Sequence, residues 1–157
     1  MNKYQDKKCF VYARANGGLK EAEEKINNQV SILKAYANKF KLKIVKIFKD
    51  TNLSSSSKPN HFDEMVKELK NNPVEVILVT DLDRITRTFT NILKLEPYFS
   101  SGKLAIITPN NILDSNNRFQ FDCTVYLARA YRNHLSEAVK EGLRRKKERE
   151  TEAKVTV

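Results

Sequence analysis

The chain has 157 residues, enough for one domain with a real core and too few for two comfortable ones. Its composition, 40% hydrophobic and 31% charged, is that of a soluble globular protein, but Lys+Arg 29 against Asp+Glu 19 leaves a formal charge of +10. A surplus of that size attracts polyanions, with nucleic acid the first candidate and an acidic membrane surface the second. A lysine-rich surface kept for solubility is the plainer alternative.

Two cysteines, Cys9 and Cys123, lie far apart in apolar sequence contexts. They offer neither a disulfide framework nor a metal-ligand spacing, so a reducing cytoplasm is the expected compartment. No stretch has the apolar length of a signal peptide or a membrane span, and no membrane partner is expected.

Along the chain, "CFVYA" (9–13) predicts a buried strand ahead of Gly17 and Gly18. From Leu19 to Phe40, the apolar residues Ile26, Val30, Leu33, Ala37 and Phe40 recur at three and four positions, which predicts a helix. "LKIVKIF" (42–48) alternates apolar and basic residues and predicts a strand at or near a sheet edge. The polar stretch 50–60 predicts a loop. "HFDEMVKELKNN" (61–72) carries Phe62, Met65, Val66 and Leu69 on one helical face. "VEVILV" (74–79) follows Pro73 as the strongest strand signal. A helix over 88–100 closed by Gly102, and a strand over 103–109, complete the alternation.

Strands alternating with helices predict an α/β fold with a largely parallel central sheet. After a polar loop at 110–120, residues from about 121 to 154 contain no proline and one glycine. Leu127, Ala130, Tyr131, His134, Leu135, Ala138 and Val139 form an apolar stripe there, before the basic run "GLRRKKERE" (142–150). At ~1.5 Å per residue such a helix reaches about 45 Å, longer than the domain needs, and a helix of that kind packs on another subunit or an extended ligand. The expected organisation is a domain over 1–125, a long basic helix over 126–150 and a disordered tail over 151–157.

In an open parallel sheet, ligands bind where the strand carboxyl ends gather. The predicted strands deliver Arg14 and Asn16, then Lys58 from a serine-rich loop, then Asp83, Arg84 and Arg87 from "DLDRITR" (81–87), to that edge. Guanidinium forks match phosphate oxygens and stay charged. With no glycine-rich phosphate loop, the set reads as a phosphodiester clamp before a nucleotide pocket. Surface charges at a helix start are the structural alternative for Asp83, Arg84 and Arg87.

These residues resemble the serine recombinases: the resolvases, invertases and large serine integrases. "YARAN" (12–16) stands where that family has Tyr-x-Arg-x-Ser, and "LDRITR" (82–87) matches its Leu-Asp-Arg-[Leu/Ile]-[Ser/Thr/Gly]-Arg motif. "SSSSKPNHF" (54–62) is similar to, and one residue longer than, the family's Ser-rich loop ending in Arg-Pro-x-Phe. "ILDS" (112–115) resembles its Ile-Asp-Thr turn, and "GLRR" (142–145) its closing Gly-Leu-Arg-Arg. The likeness spans roughly 8–147 and implies a resolvase-like three-layer domain with a mostly parallel sheet and a long C-terminal helix.

What the resemblance implies is DNA cleavage through a 5′-phosphoserine link and religation, with no metal or nucleotide. Arg14, Arg84 and Arg87 would bind and activate the phosphate, and Asp83 would orient an arginine or manage a proton. Arg132 would be the long-helix arginine, and Arg144, Arg145, Lys146 and Lys147 would contact DNA. The implied partners are DNA and other subunits, as a dimer or tetramer of this chain or mixed with an active recombinase.

Three positions depart from the family's pattern. Asn16 occupies the nucleophile position, and a carboxamide cannot form the phosphoserine ester. Lys58 replaces the arginine before proline and loses its fork. Tyr131 replaces the acid before Arg132. Ser54 to Ser57 are the substitute hydroxyls nearest the same edge. Two functions therefore stand: a recombinase catalytic domain, impaired by the missing serine, or a non-enzymatic DNA-binding or regulatory partner on the same fold. A flavodoxin-like nucleotide or signalling domain is a third, without a phosphate loop to support it.

Overall fold

Strand β1, Lys8–Ala15, is an interior strand of the sheet, between β2 and β3, and it is buried on both faces. Phe10 and Tyr12 point to one side and Cys9, Val11 and Ala13 to the other, all at 0% exposure. A near-continuous apolar run is what a parallel strand covered on both faces requires. The computed structural model describes residues 3–51, 61–86 and 89–155. After β1 come α1 (Leu19–Lys39), β2 (Lys43–Thr51), α2 (His61–Asn71), β3 (Val76–Leu78) and α3 (Asp83–Thr86). Then follow α4 (Phe89–Ser100), β4 (Ala105–Ile107), β5 (Ile112–Leu113) and α5 (Phe119–Val155).

The sheet order is β2-β1-β3-β4-β5, with the first four strands parallel and β5 antiparallel to β4. Helix α1 covers one face through Ala22, Ile26, Val30, Leu33 and Ala37. On the other face, Phe62, Met65 and Leu69 of α2, Ile92, Leu95 and Phe99 of α4 and the first turns of α5 close over Phe10, Tyr12, Ile77 and Ile106. The result is the expected three-layer α/β arrangement, with β2 at an edge. Strand β5 departs from expectation: Ile112 and Leu113 lie inside the stretch read as a polar loop, and two residues leave no period to detect.

Edge strand β2 carries one irregularity. Cys9 pairs with Ile44 but Phe10 pairs with Lys46, so Val45 is an extra, half-exposed residue. The bulge re-aims every residue after it. Phe48 consequently meets Phe10 edge-on at 5.2 Å on the α2 face, and Asp50 pairs with Arg14. The chain turns from β1 to α1 through Gly17, whose φ of 135° suits only glycine; a Cβ there would lie 3.0 Å from Glu21.

At the opposite sheet edge, the N-terminal arm is pinned by Asp114. The Tyr4 hydroxyl donates to its Oδ2 at 2.5 Å and Lys3 Nζ at 3.0 Å, while the Asn116 and Asn117 backbones donate to Oδ1. The Tyr4 hydrogen bond, ahead of the others, holds the Asp114 carboxyl far below the ordinary carboxylate range, against the opposing effect of desolvation. A carboxyl depressed in the folded state stabilises the protein above the unfolded value, about 3.9 for Asp, and that stability is lost as pH falls below it. Urea unfolding at pH 7 and pH 3 should therefore show a larger loss of midpoint for the parent than for Asp114→Asn, with the parent the more stable at pH 7.

Helix α5 enters the core through Phe121, Val125 and Ala128, and Arg129 holds Glu96 of α4 at 2.6 Å beside them; Phe99 and Phe121 stack at 3.8 Å, 13° from parallel. Beyond them every residue to Lys140 is exposed. The stripe read as apolar is therefore solvent-exposed, and Leu127, Tyr131, Leu135 and Val139 of it, continued by Leu143, follow one another at i+4. The helix runs through Val155, past position 151 where a disordered tail was expected. Pairs such as Arg144–Glu148 and Lys146–Glu150, at i,i+4 spacing, extend it. The two cysteines also differ: Cys9 is buried, its thiol pushed up to about 12 by desolvation, whereas Cys123 is exposed.

Candidate functional site

Arg14 lies at the carboxyl end of β1, on the same face as Phe10 and Tyr12, and Arg84 lies in α3 just past β3. They meet at the Arg14 carbonyl, to which Arg84 Nη1 donates over a long 3.4 Å. Gln29 of α1 grips the same residue from the other side. Its Nε2 donates to the Arg14 carbonyl at 2.9 Å, and its Oε1 accepts the Arg14 backbone N–H at 3.2 Å. A central strand end is thus clamped between two helices, which fixes where the Arg14 side chain starts.

Tyr12 fixes where it goes. Arg14 follows Tyr12 on the same face of β1, and the Tyr12 hydroxyl donates to Asp50 Oδ2 at 2.9 Å. Burial, with Asp50 adding to it, holds the Tyr12 phenol far above its ordinary value, and the neighbouring Arg14 offsets this in part. The phenol therefore keeps its proton and donates it to Asp50 beside the Arg14 guanidinium. Asp50 also receives the His61 and Phe62 backbone N–H groups at 3.0 and 3.1 Å, capping α2 from the neighbouring strand.

Among the described residues, Arg84 Nε is buried without an aligned hydrogen bond, although Asp83 Oδ1 is 3.1 Å away. Asp83 itself is largely exposed. Asn16 is exposed at the turn two residues past Arg14. So Arg14, Asn16, Asp83 and Arg84 are brought to the carboxyl edge of the sheet. Lys58, Arg87 and the hydroxyls of Ser54 to Ser57 lie outside the described residues. Arg132 sits on the exposed part of α5, as do Arg144, Arg145, Lys146 and Lys147. Between 140 and 150, six basic residues stand among three glutamates. Arg144 and Arg145 both bind Glu141, at 2.9 and 3.0 Å, which moderates the positive field expected of that run.

Gln29, Asp50 and His61 were not among the sequence-derived candidates. Asp50 sat in a stretch read as polar loop, and only the bulged register reveals that it opposes Arg14. Among the described residues, no group of three or more His, Cys, Asp or Glu side chains is placed to hold a metal ion. Chemically, two guanidinium groups at one open edge, with carboxylates behind them, suit a tetrahedral anion whose charge is spread over its oxygens.

The family model described as the resolvase N-terminal domain matches residues 9–152. The chain belongs to that family. Among solved structures, this resolvase-type domain is similar to a resolvase family site-specific recombinase from Streptococcus pneumoniae, with a TM-score of 0.68 and 21% identity. That match covers 90% of this chain and 98% of the other. It is also similar to the N-terminal catalytic domain of TP901-1 integrase, with a TM-score of 0.57 and 20% identity over 84% of this chain and 98% of that one. A third likeness is to the C-terminal catalytic domain of ISC1926 TnpA, an IS607-like serine recombinase, at 0.53 and 25%, covering 64% and 66% of the two chains. Among curated proteins, none matches the chain. No helix of the resolvase-type domain, among the described residues, is long and apolar enough to cross a membrane.

Proposed function

We propose that this resolvase-type domain works in site-specific recombination by gripping a DNA phosphodiester at the carboxyl edge of its sheet, without cleaving it from position 16. The observation that carries the reading is the meeting of Arg14 and Arg84 at the Arg14 carbonyl, two residues from an exposed Asn16. The arginines would neutralise charge on the phosphoryl oxygens, the task such groups perform when a phosphodiester is opened. Asp83, 3.1 Å from Arg84, orients that guanidinium. Arg87 and Lys58 would add to the clamp, and Arg132 would approach it from α5. Arg144, Arg145, Lys146 and Lys147 would follow the DNA backbone outside it. What is missing is a nucleophile: the Asn16 carboxamide has no hydroxyl to form a phosphoester.

The exposed apolar ladder of α5 supports assembly with other subunits, either copies of this chain or an active recombinase. In a mixed assembly, a subunit that holds DNA but leaves it intact would regulate its partners.

The test is incubation of the chain with supercoiled plasmid, followed by a denaturing gel. The chain should retard native DNA yet leave neither nicks nor protein covalently attached to a 5′ end. An attached protein in the parent chain would refute loss of chemistry and turn attention to Ser54 to Ser57.

A further inference from the structure

His61 opens α2, and its ring is half-exposed, with its polar edge turned to Asp50. Its Nδ1 lies 3.1 Å from Asp50 Oδ1, the same oxygen that accepts its backbone N–H at 3.0 Å. The other Asp50 oxygen accepts Phe62 N–H at 3.1 Å and the Tyr12 hydroxyl at 2.9 Å. A carboxylate has about four lone-pair sites, so these four donors fill it and fix its orientation. Arg14 stands beside Tyr12 on the same strand face and pairs in register with Asp50. The chain of contacts runs from an exposed imidazole to the guanidinium at the sheet edge: His61, Asp50, Tyr12, Arg14. Among the described residues, Glu64, one turn along α2, also faces His61, and Lys46 of β2 holds Glu64 at 2.8 Å.

We propose that His61 is a positioning residue for Arg14, acting through Asp50 and Tyr12, so that the grip on a phosphodiester depends on an imidazole that touches no phosphate. A ring this exposed contributes little packing, and its polar contact is to a carboxylate that three other donors share. Removing its donor leaves one Asp50 oxygen with a single partner and lets the carboxylate turn. The Tyr12 hydroxyl then loses its fixed acceptor, and Arg14 its fixed anchor.

The inference rests on the phosphodiester reading of the arginine edge, and one cycle separates the two. Affinity for a fluorescein-labelled DNA duplex is measured by anisotropy on the full chain. Arg14→Ala should weaken binding about 10-fold in the parent, the size of a charge-assisted hydrogen bond. In a His61→Leu background the same change should cost only about 2-fold, because Arg14 is already misplaced, as the coupling of groups in one network requires. His61→Asn, which keeps a donor near the Nδ1 position, should restore most of the 10-fold effect. Tyr12→Phe should mimic His61→Leu, and the double variant should be no worse than either alone. A 10-fold Arg14 effect that persists undiminished in His61→Leu overturns the inference and leaves the phosphodiester reading intact. An Arg14→Ala chain that binds as tightly as the parent overturns both. Should Arg14→Ala not fold, Arg14→Lys, which keeps the charge and loses the fork, takes its place in the same cycle.

Discussion

Arg84→Ala is expected to weaken duplex DNA binding by about 10–100-fold, the equivalent of ~1.5–3 kcal/mol for hydrogen bonds to a charged group. The geometry argues for an effect at the upper end of single phosphate contacts. Arg84 Nε is buried without an aligned acceptor among the described residues, and the bond of Nη1 to the Arg14 carbonyl is long at 3.4 Å. Buried donors in native proteins are normally satisfied, so an arginine left in this condition is set to receive an anion. The variant should also lower the slope of log affinity against log salt by about one, as removal of a single phosphate contact does. Arg145→Ala offers the comparison. That residue is exposed and already bound to Glu141 at 3.0 Å, so its loss should weaken binding by less than Arg84→Ala at the same salt. No loss from Arg84→Ala beside a clear loss from Arg145→Ala would place the DNA on α5 and dismiss the sheet edge as a site.

The largest effect on stability is expected from Phe121→Ala, at about 3–5 kcal/mol. Phe121 is fully buried, stacked on Phe99 at 3.8 Å, and is the first of three α5 residues that enter the core. Truncating it leaves a cavity between α4 and α5 and removes the aromatic contact together. A melting point lower by on the order of 10 °C is the expected readout in a domain of this size. Because Val125 and Ala128 are then the remaining anchors, α5 should also gain protease sensitivity before global unfolding. Tyr126→Ala, one turn away and largely exposed, should change the melting point little. A small shift for Phe121→Ala would mean that the two helices close over the gap.

Much of this architecture is written in local pattern. Cys9 to Ala13 read as a buried strand because they are apolar without interruption, and Ile26 to Phe40 read as one helix face because their apolar residues recur at three and four positions. The rule that parallel strands gather ligands at their carboxyl ends was enough to bring Arg14, Asn16, Asp83 and Arg84 together. What could not be read there depends on partners distant in sequence. Strand β5 is two residues long and exists through its pairing with β4. Asp50 reaches Tyr12 only because β2 shifts register at Val45, and nothing in "LKIVKIF" marks that residue as extra. His61 follows from Asp50, and so was equally hidden. The continuation of α5 to Val155 was hidden for another reason: past Glu150 too few residues follow for an apolar period to mark them as helical.

Val45 has a consequence in counting. Strand residues alternate between the two sides of the sheet, so the extra residue changes odd to even for all that follows it. Lys49, which now reaches Asn27 of α1 at 3.2 Å, and Asp50, which caps α2, would exchange sides if it were removed. Phe48 would be carried off Phe10 by the same step. Single deletions between Ile44 and Phe48 therefore amount to a parity error, inverting half a strand at once. Insertion of a second residue beside Val45 would do the same, whereas two further residues would restore the sides and only lengthen the edge. A relative that lacks this extra position can keep a carboxylate over its Tyr12 counterpart only by correcting the parity before that carboxylate is reached.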